Sequence, residues 1–192
     1  MGIDFKAIPS SIPEIHHDQL TAQELAQINA YRKARSIAKK RPQSLVLGAD
    51  TLVCIDSRIL GKPASLEEAY QMLEWLQGRA HAVITAVCLL CLRPHSQRIF
   101  ADTTQVKFRP MDAVAIRRYL NKVDPLDKAG AYAVQEQGDM IIESIAGSYS
   151  NVVGLPVERL GQELDRWGGA GPWFQTVPPP GASPLQPPSP AP

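Results

Sequence analysis

Apolar and polar positions change period along the chain, and each change marks an element. Over residues 2–8, Ile3, Phe5 and Ala7 alternate with Asp4 and Lys6, the period of a short strand. From Thr21 the period lengthens. Thr21 and Glu24 form a capping-box sequence, and Leu25, Ile28, Ala34 and Ile37 set an apolar stripe on a helix reaching about Lys40. Leu45, Val46 and Leu47 are a continuous apolar run closed by Gly48, which reads as a strand buried on both faces. Asp56 and Ser57 then make a turn between strands at 51–55 and 58–60, and Gly61-Lys62-Pro63 ends the hairpin on a rigid corner.

The second half repeats these signals. Ser65 and Glu68 bracket another capping-box sequence, followed by a helix with Leu66, Ala69, Met72, Leu73 and Leu76 on one face and Gly78 as its stop. Residues 81–92 and 99–108 are long strand-like segments joined by a turn at 93–97, an expected antiparallel pair. Asp112 caps a helix to about Val123, which Asp124-Pro125 breaks. Residues 140–145 read as a strand, 147–151 as a polar loop, and Pro156 opens a last helix to about Trp167. From Gly168 the pattern stops. Nine of the 17 prolines lie from Pro172 onward, so residues 168–192 are expected to be a disordered extension, and a proline-recognition ligand is the lesser alternative.

Composition narrows the class. The 192 residues suffice for one domain, or two merged lobes, over residues 1–167. A formal charge of +1 offers no long-range field for a nucleic-acid polymer or an anionic membrane, while a local basic pocket for a small anion stays open. There is no leader-like or membrane-spanning stretch, and Cys54, Cys88 and Cys91 are an odd set in apolar segments. A reduced, cytoplasmic protein is expected. Cys88 and Cys91 have a redox or zinc spacing, but a strand points residues three apart to opposite faces, so they read as buried small hydrophobes.

Candidate chemistry centres on Asp50, a carboxylate at the mouth of a buried strand, costly there unless it meets a cation or a reacting water. Other charged residues are ambiguous on their own. Glu14 reads as a solvated loop acid, and Lys33 as part of a basic helix face. His16 and His17 have no partners at ligand spacing, Lys62 fits a surface hairpin, and Gln135 fits a surface amide. Gly61-Lys62-Pro63 is not a P-loop, because it has no upstream glycine at the required spacing and its proline would disrupt the loop.

Five stretches in order change that balance: GADTLV (48–53), LGKP (60–63), GRAH (78–81) with Thr85, DPLDKAGAYAVQ (124–135) and GSYSNVVGLP (147–156). Together they resemble the successive motifs of the Maf family of nucleoside triphosphate pyrophosphatases, from about Gly2 to Leu164. The resemblance implies an α/β fold of the inosine-triphosphatase-like type: a mixed central sheet with flanking helices, in two lobes around a nucleotide cleft, often as a homodimer. It also implies hydrolysis between the α and β phosphates, with a divalent metal, usually magnesium. Asp50 matches the family's catalytic carboxylate and Glu14 its loop acid, together the expected metal-holding pair. Lys33, Lys62 and Lys128 match phosphate-facing lysines, and Thr51 and Gln135 match positions that help choose the base. The AYAVQ form resembles the branch acting on dTTP and UTP rather than on 7-methyl-GTP.

One departure stands out. The family pattern begins with a strand and a loop reading approximately S-x-S-P-R-R, and here Met1 falls after it. The expectation is that the natural start lies upstream, which an S-P-R-R-like reading frame would support and an in-frame stop close to Met1 would overturn. Otherwise two absent arginines remove contacts worth roughly 1.5–3 kcal/mol each. The competing expectation is then a non-catalytic nucleotide-binding regulator of septum formation and cell division, functions also linked to this family.

Overall fold

The computed structural model describes residues 3–15, 17 and 19–168. The elements run α1 (Ala22–Ala38), β1 (Val46–Ile55), β2 (Arg58–Leu60), α2 (Leu66–Leu76), β3 (Ala80–Leu92), β4 (His95–Phe108), α3 (Ala113–Leu120), α4 (Gly138–Ile141), β5 (Ile142–Ala146), α5 (Tyr149–Val153) and α6 (Val157–Gly168). The five strands form one sheet in the order β2-β1-β3-β4-β5, and all four pairings are antiparallel. The expected α/β fold with flanking helices is present, with the described sheet antiparallel throughout rather than mixed. His16 and the proline-rich extension lie outside the described residues.

Strand alternation divides the work of the sheet. On one face of β3, Ala86, Cys88 and Leu90 pack with Leu52 against α1. On the other face Val83 belongs to a core with α2 and α3, and Val87 and Leu89 pack against Leu160 and Leu164 of α6. Cys88 and Cys91 are buried free thiols, as expected of small core residues.

Several expectations need correction. Residues 3–8 form no strand and are exposed, because no neighbouring strand pairs with them. The strand expected to close at Gly48 runs through it to Ile55. A Cβ at Gly48 would lie 2.5 Å from the Ala30 carbonyl oxygen and 2.7 Å from the Ala34 nitrogen, so the glycine admits α1 onto the sheet rather than ending the strand. The same close approach turns the buried face of α1 onto Ala26, Ala30, Ala34 and Ala38, leaving Ile28 and Ile37 half-buried. Residues 93–97 are not all turn, since β4 already starts at His95. The expected strand at 140–145 is split into the end of α4 and β5, and the loop at 147–151 contains the first turn of α5, capped by Ser148.

Candidate active site

Order in the sheet leaves part of β1 without a partner. Among the described residues β2 pairs only with Val53–Ile55, so the edge before Val53 is free on that side, and a cleft of about 340 Å³ opens along it. The cleft is lined by Asp50 and Thr51 from β1, Glu14 and Lys33 from one side, and Lys62, Lys128 and Gln135 from the other. All seven residues singled out from the sequence therefore meet in one place. Lys128 and Gln135 reach it without a shared helix face: the chain between them makes only a short 3₁₀ turn, with Gly130 in the left-handed region.

Asp50 pairs with Ala86 and Thr51 with Thr85, so their side chains leave opposite faces of the sheet. Asp50 faces α1. It is 4% exposed, and its Oδ1 accepts a hydrogen bond from Lys33 Nζ at 2.5 Å. The same ammonium donates to Glu14 Oε1 at 2.6 Å, so one lysine bridges two carboxylates. Among the described residues, Asp50 Oδ2 is buried with no hydrogen-bond partner. Burial pushes the Asp50 carboxyl above its ordinary value, Lys33 opposes this, and the Glu14 charge adds to it. Glu14 goes the other way: partial burial raises it, but hydrogen bonding and charge from Lys33 outweigh that and hold it below its usual value. Lys33 is lowered by burial, yet its two carboxylate partners leave it more strongly protonated than a free lysine.

Asn29, one turn before Lys33, sets this geometry. Only 2% exposed, its Oδ1 accepts from the Ile15 backbone nitrogen at 3.0 Å and its Nδ2 donates to the Ile15 carbonyl at 3.3 Å. Arg32 donates to the Pro13 carbonyl at 3.0 Å. Helix α1 thus grips the loop on both sides of Glu14. The sequence signal was a single amide on the apolar side of a helix, invisible without its partner.

Thr51 faces the other way. Its hydroxyl lies 2.9 Å from that of Thr85, which donates to the Asn151 carbonyl, also at 2.9 Å. Asn151 is fully buried and its Nδ2 donates to the Val83 carbonyl and the Thr104 hydroxyl, each at 3.0 Å. These bonds hold α5 to the sheet, so that Val152, Val153 and Gly154 complete the cleft wall beside Thr51. His81 supports the neighbouring wall: its Nε2 is 2.8 Å from the hydroxyl of cleft-lining Tyr132, and burial holds its pKa down to about 4. Asn29, His81, Thr104 and Asn151 were not among the expected site residues.

The opposite rim is open. Lys62 pairs with Asp127, and Lys128 Nζ with Glu136 Oε1 at 2.9 Å, while Gln135 is exposed. Among the described residues no group of three or more His, Cys, Asp or Glu side chains gathers for a metal. Asp50 and Glu14 still suit one that keeps water and substrate oxygens, because magnesium is usually held by one or two carboxylates plus phosphates, and Asp50 Oδ2 is a free buried acceptor.

Fold and cleft define a class: an α/β protein with an acid pair and three lysines converging at a free sheet edge. The chain belongs to the Maf-like protein family, whose profile matches residues 1–167. It is 44% identical over 165 residues to a dTTP/UTP pyrophosphatase of Ruminiclostridium cellulolyticum, covering 85% of this chain and 86% of that protein. Against the dTTP/UTP pyrophosphatase of Carboxydothermus hydrogenoformans it is 41% identical over 164 residues, covering 85% and 88%. A third, from Akkermansia muciniphila, is 44% identical over 156 residues, covering 81% and 82%.

Proposed function

We propose that this chain is a nucleoside triphosphate pyrophosphatase that hydrolyses dTTP and UTP to the monophosphate and pyrophosphate. The observation that carries the proposal is the convergence of the buried Asp50, with Glu14 beside it, and three lysines on one cleft, in a chain whose relatives bear that name. In this reading water attacks the α-phosphorus, the bond to the oxygen bridging the α and β phosphates breaks, and the pyrophosphate leaves with that oxygen. Asp50 takes the proton from the water. Burial raises its pKa, which favours proton uptake from the water.

Asp50 and Glu14 would hold a divalent cation, most simply magnesium, which when bound lowers the pKa of water and polarises phosphate oxygens. Lys62 and Lys128 can exchange their exposed acid partners for phosphate oxygens and neutralise the leaving group. Gln135 can pair with both a carbonyl and an imide N–H of a pyrimidine, and Thr51 fixes the wall next to it.

The test is chromatography of dTTP, UTP and 7-methyl-GTP after incubation with the chain and magnesium. Expected products are dTMP or UMP with pyrophosphate, and far less from 7-methyl-GTP. Release of orthophosphate instead overturns the reading, as does absence of pyrimidine cleavage both by this chain and by one expressed from further upstream.

A further inference from the structure

We propose that Lys33 is a resident counter-ion that bars a free divalent cation from the Glu14–Asp50 pair and yields it only when a triphosphate arrives, so that metal and nucleotide bind as a coupled pair. This rests on the reading of the two carboxylates as the metal-holding groups.

The space between the two carboxylates is already occupied. Lys33 Nζ lies 2.6 Å from Glu14 Oε1 and 2.5 Å from Asp50 Oδ1, so the region between the carboxylates already contains a cation. Two carboxylates and one ammonium sum to one negative charge. Adding a divalent ion would leave the group net positive, with the ion next to an ammonium in a site where Asp50 is only 4% exposed. Repulsion at such separations is weakly screened away from bulk water. Removing the ammonium restores a neutral group of two carboxylates and one divalent ion.

A triphosphate changes the count. It brings several negative charges, enough to engage both the metal and the ammonium. Lys33 can follow it, because its side chain is 23% exposed and lines the cleft, and a lysine ammonium on a four-carbon stem changes partners without moving the backbone. As it leaves, Asp50 Oδ1 and Glu14 Oε1 become available beside Asp50 Oδ2, which has no partner now. Thermodynamic linkage then requires that the nucleotide tighten metal binding by the same factor as the metal tightens nucleotide binding.

The experiment titrates the full chain with MnCl2, alone and with the dTTP analogue carrying a methylene between its α and β phosphorus atoms, following protein-bound Mn2+ by electron paramagnetic resonance. Binding by the analogue itself is subtracted. The wild type is expected to bind Mn2+ at least tenfold more tightly with the analogue than without. Lys33→Met is expected to bind Mn2+ alone at least tenfold more tightly than the wild type, with weaker coupling, and its melting temperature should rise with MnCl2 alone. Lys33→Arg keeps the positive charge and should keep free Mn2+ out.

Equal wild-type affinity with and without analogue overturns the counter-ion role, and so does Lys33→Met gaining nothing. If Lys33→Met fails to fold, the wild-type and Lys33→Arg titrations still decide. Failure of the analogue to bind at all overturns this proposal, and together with absence of cleavage by both chains in the chromatography it removes the nucleotide reading as well. Analogue binding without metal coupling removes only this proposal.

Discussion

The two walls of the cleft carry similar residue types in different physical settings. On the α1 side the pair is enclosed: the side chains of Lys33 and Asp50 are 23% and 2% exposed, and Asn29 and Arg32 brace the loop that carries Glu14. On the far rim, Lys62 and Asp127 are 51% and 79% exposed, while Lys128 is covered about as well as Lys33 and only its partner Glu136 is exposed. An exposed ion pair contributes about 0–1 kcal/mol, whereas removing one partner of a buried pair costs roughly 3–5 kcal/mol. The contrast teaches a division of labour. The enclosed wall holds its carboxylates in place and has only Lys33 free to change partners, whereas the open rim can exchange partners around a polyanion at little cost.

On the enclosed wall, Asp50→Asn should lower kcat for dTTP by about 10²–10⁴-fold with the fold intact by circular dichroism. On the proposed mechanism Asp50 acts as its carboxylate, and because burial raises its pKa, kcat/KM of the wild type should fall as pH drops through a value above the ordinary 3.8. The acid limb belongs to the coupled Asp50–Glu14 pair rather than to either residue. A limb that persists unchanged in the residual activity of Asp50→Asn would contradict the assignment.

Gly48→Ala attacks the same wall through its packing. The new Cβ would meet the Ala30 carbonyl at 2.5 Å, so α1 must shift, at a cost of roughly 1–3 kcal/mol in urea unfolding. Unchanged stability would show that the helix seat is not tight. Asn29→Ala frees the Ile15 backbone and, on the proposed magnesium role of Glu14, should raise the magnesium concentration needed for half-maximal activity about tenfold. On the open rim, Lys62→Met should raise KM for dTTP about tenfold with a smaller change in kcat, since it loses a charge-assisted phosphate contact. Smallest of all, Asp127→Asn should change stability by less than about 0.5 kcal/mol, because its partner Lys62 is half exposed. A large loss there would erase the distinction between the walls.

Much of the architecture was legible from short-range pattern. Thr21 and Ser65 cap the helices they were expected to cap, Asp112 caps α3, and the two long apolar segments pair as antiparallel β3 and β4. Such signals are local, since a cap or an alternation is complete within a few residues. Where neighbours decide, pattern misled. Residues 3–8 alternate like a strand but have no strand beside them, and Gly48 looks like a terminator until α1 is laid against it.

The candidate site divides in the same way. The order of short motifs marked Asp50, Thr51, Lys62, Lys128 and Gln135, and the residue types set what chemistry they could support. Only the tertiary structure decided that Lys33 stands between Glu14 and Asp50, that Asn29 and Asn151 are structural clamps, and that the cleft opens where β2 leaves β1 uncovered. The helices, the hairpins and the supply of acidic and basic groups follow from residue identity and near neighbours alone. Charge state and accessibility depend on which groups distant segments bring within a few ångströms and on how much water remains there, and folding alone settles both.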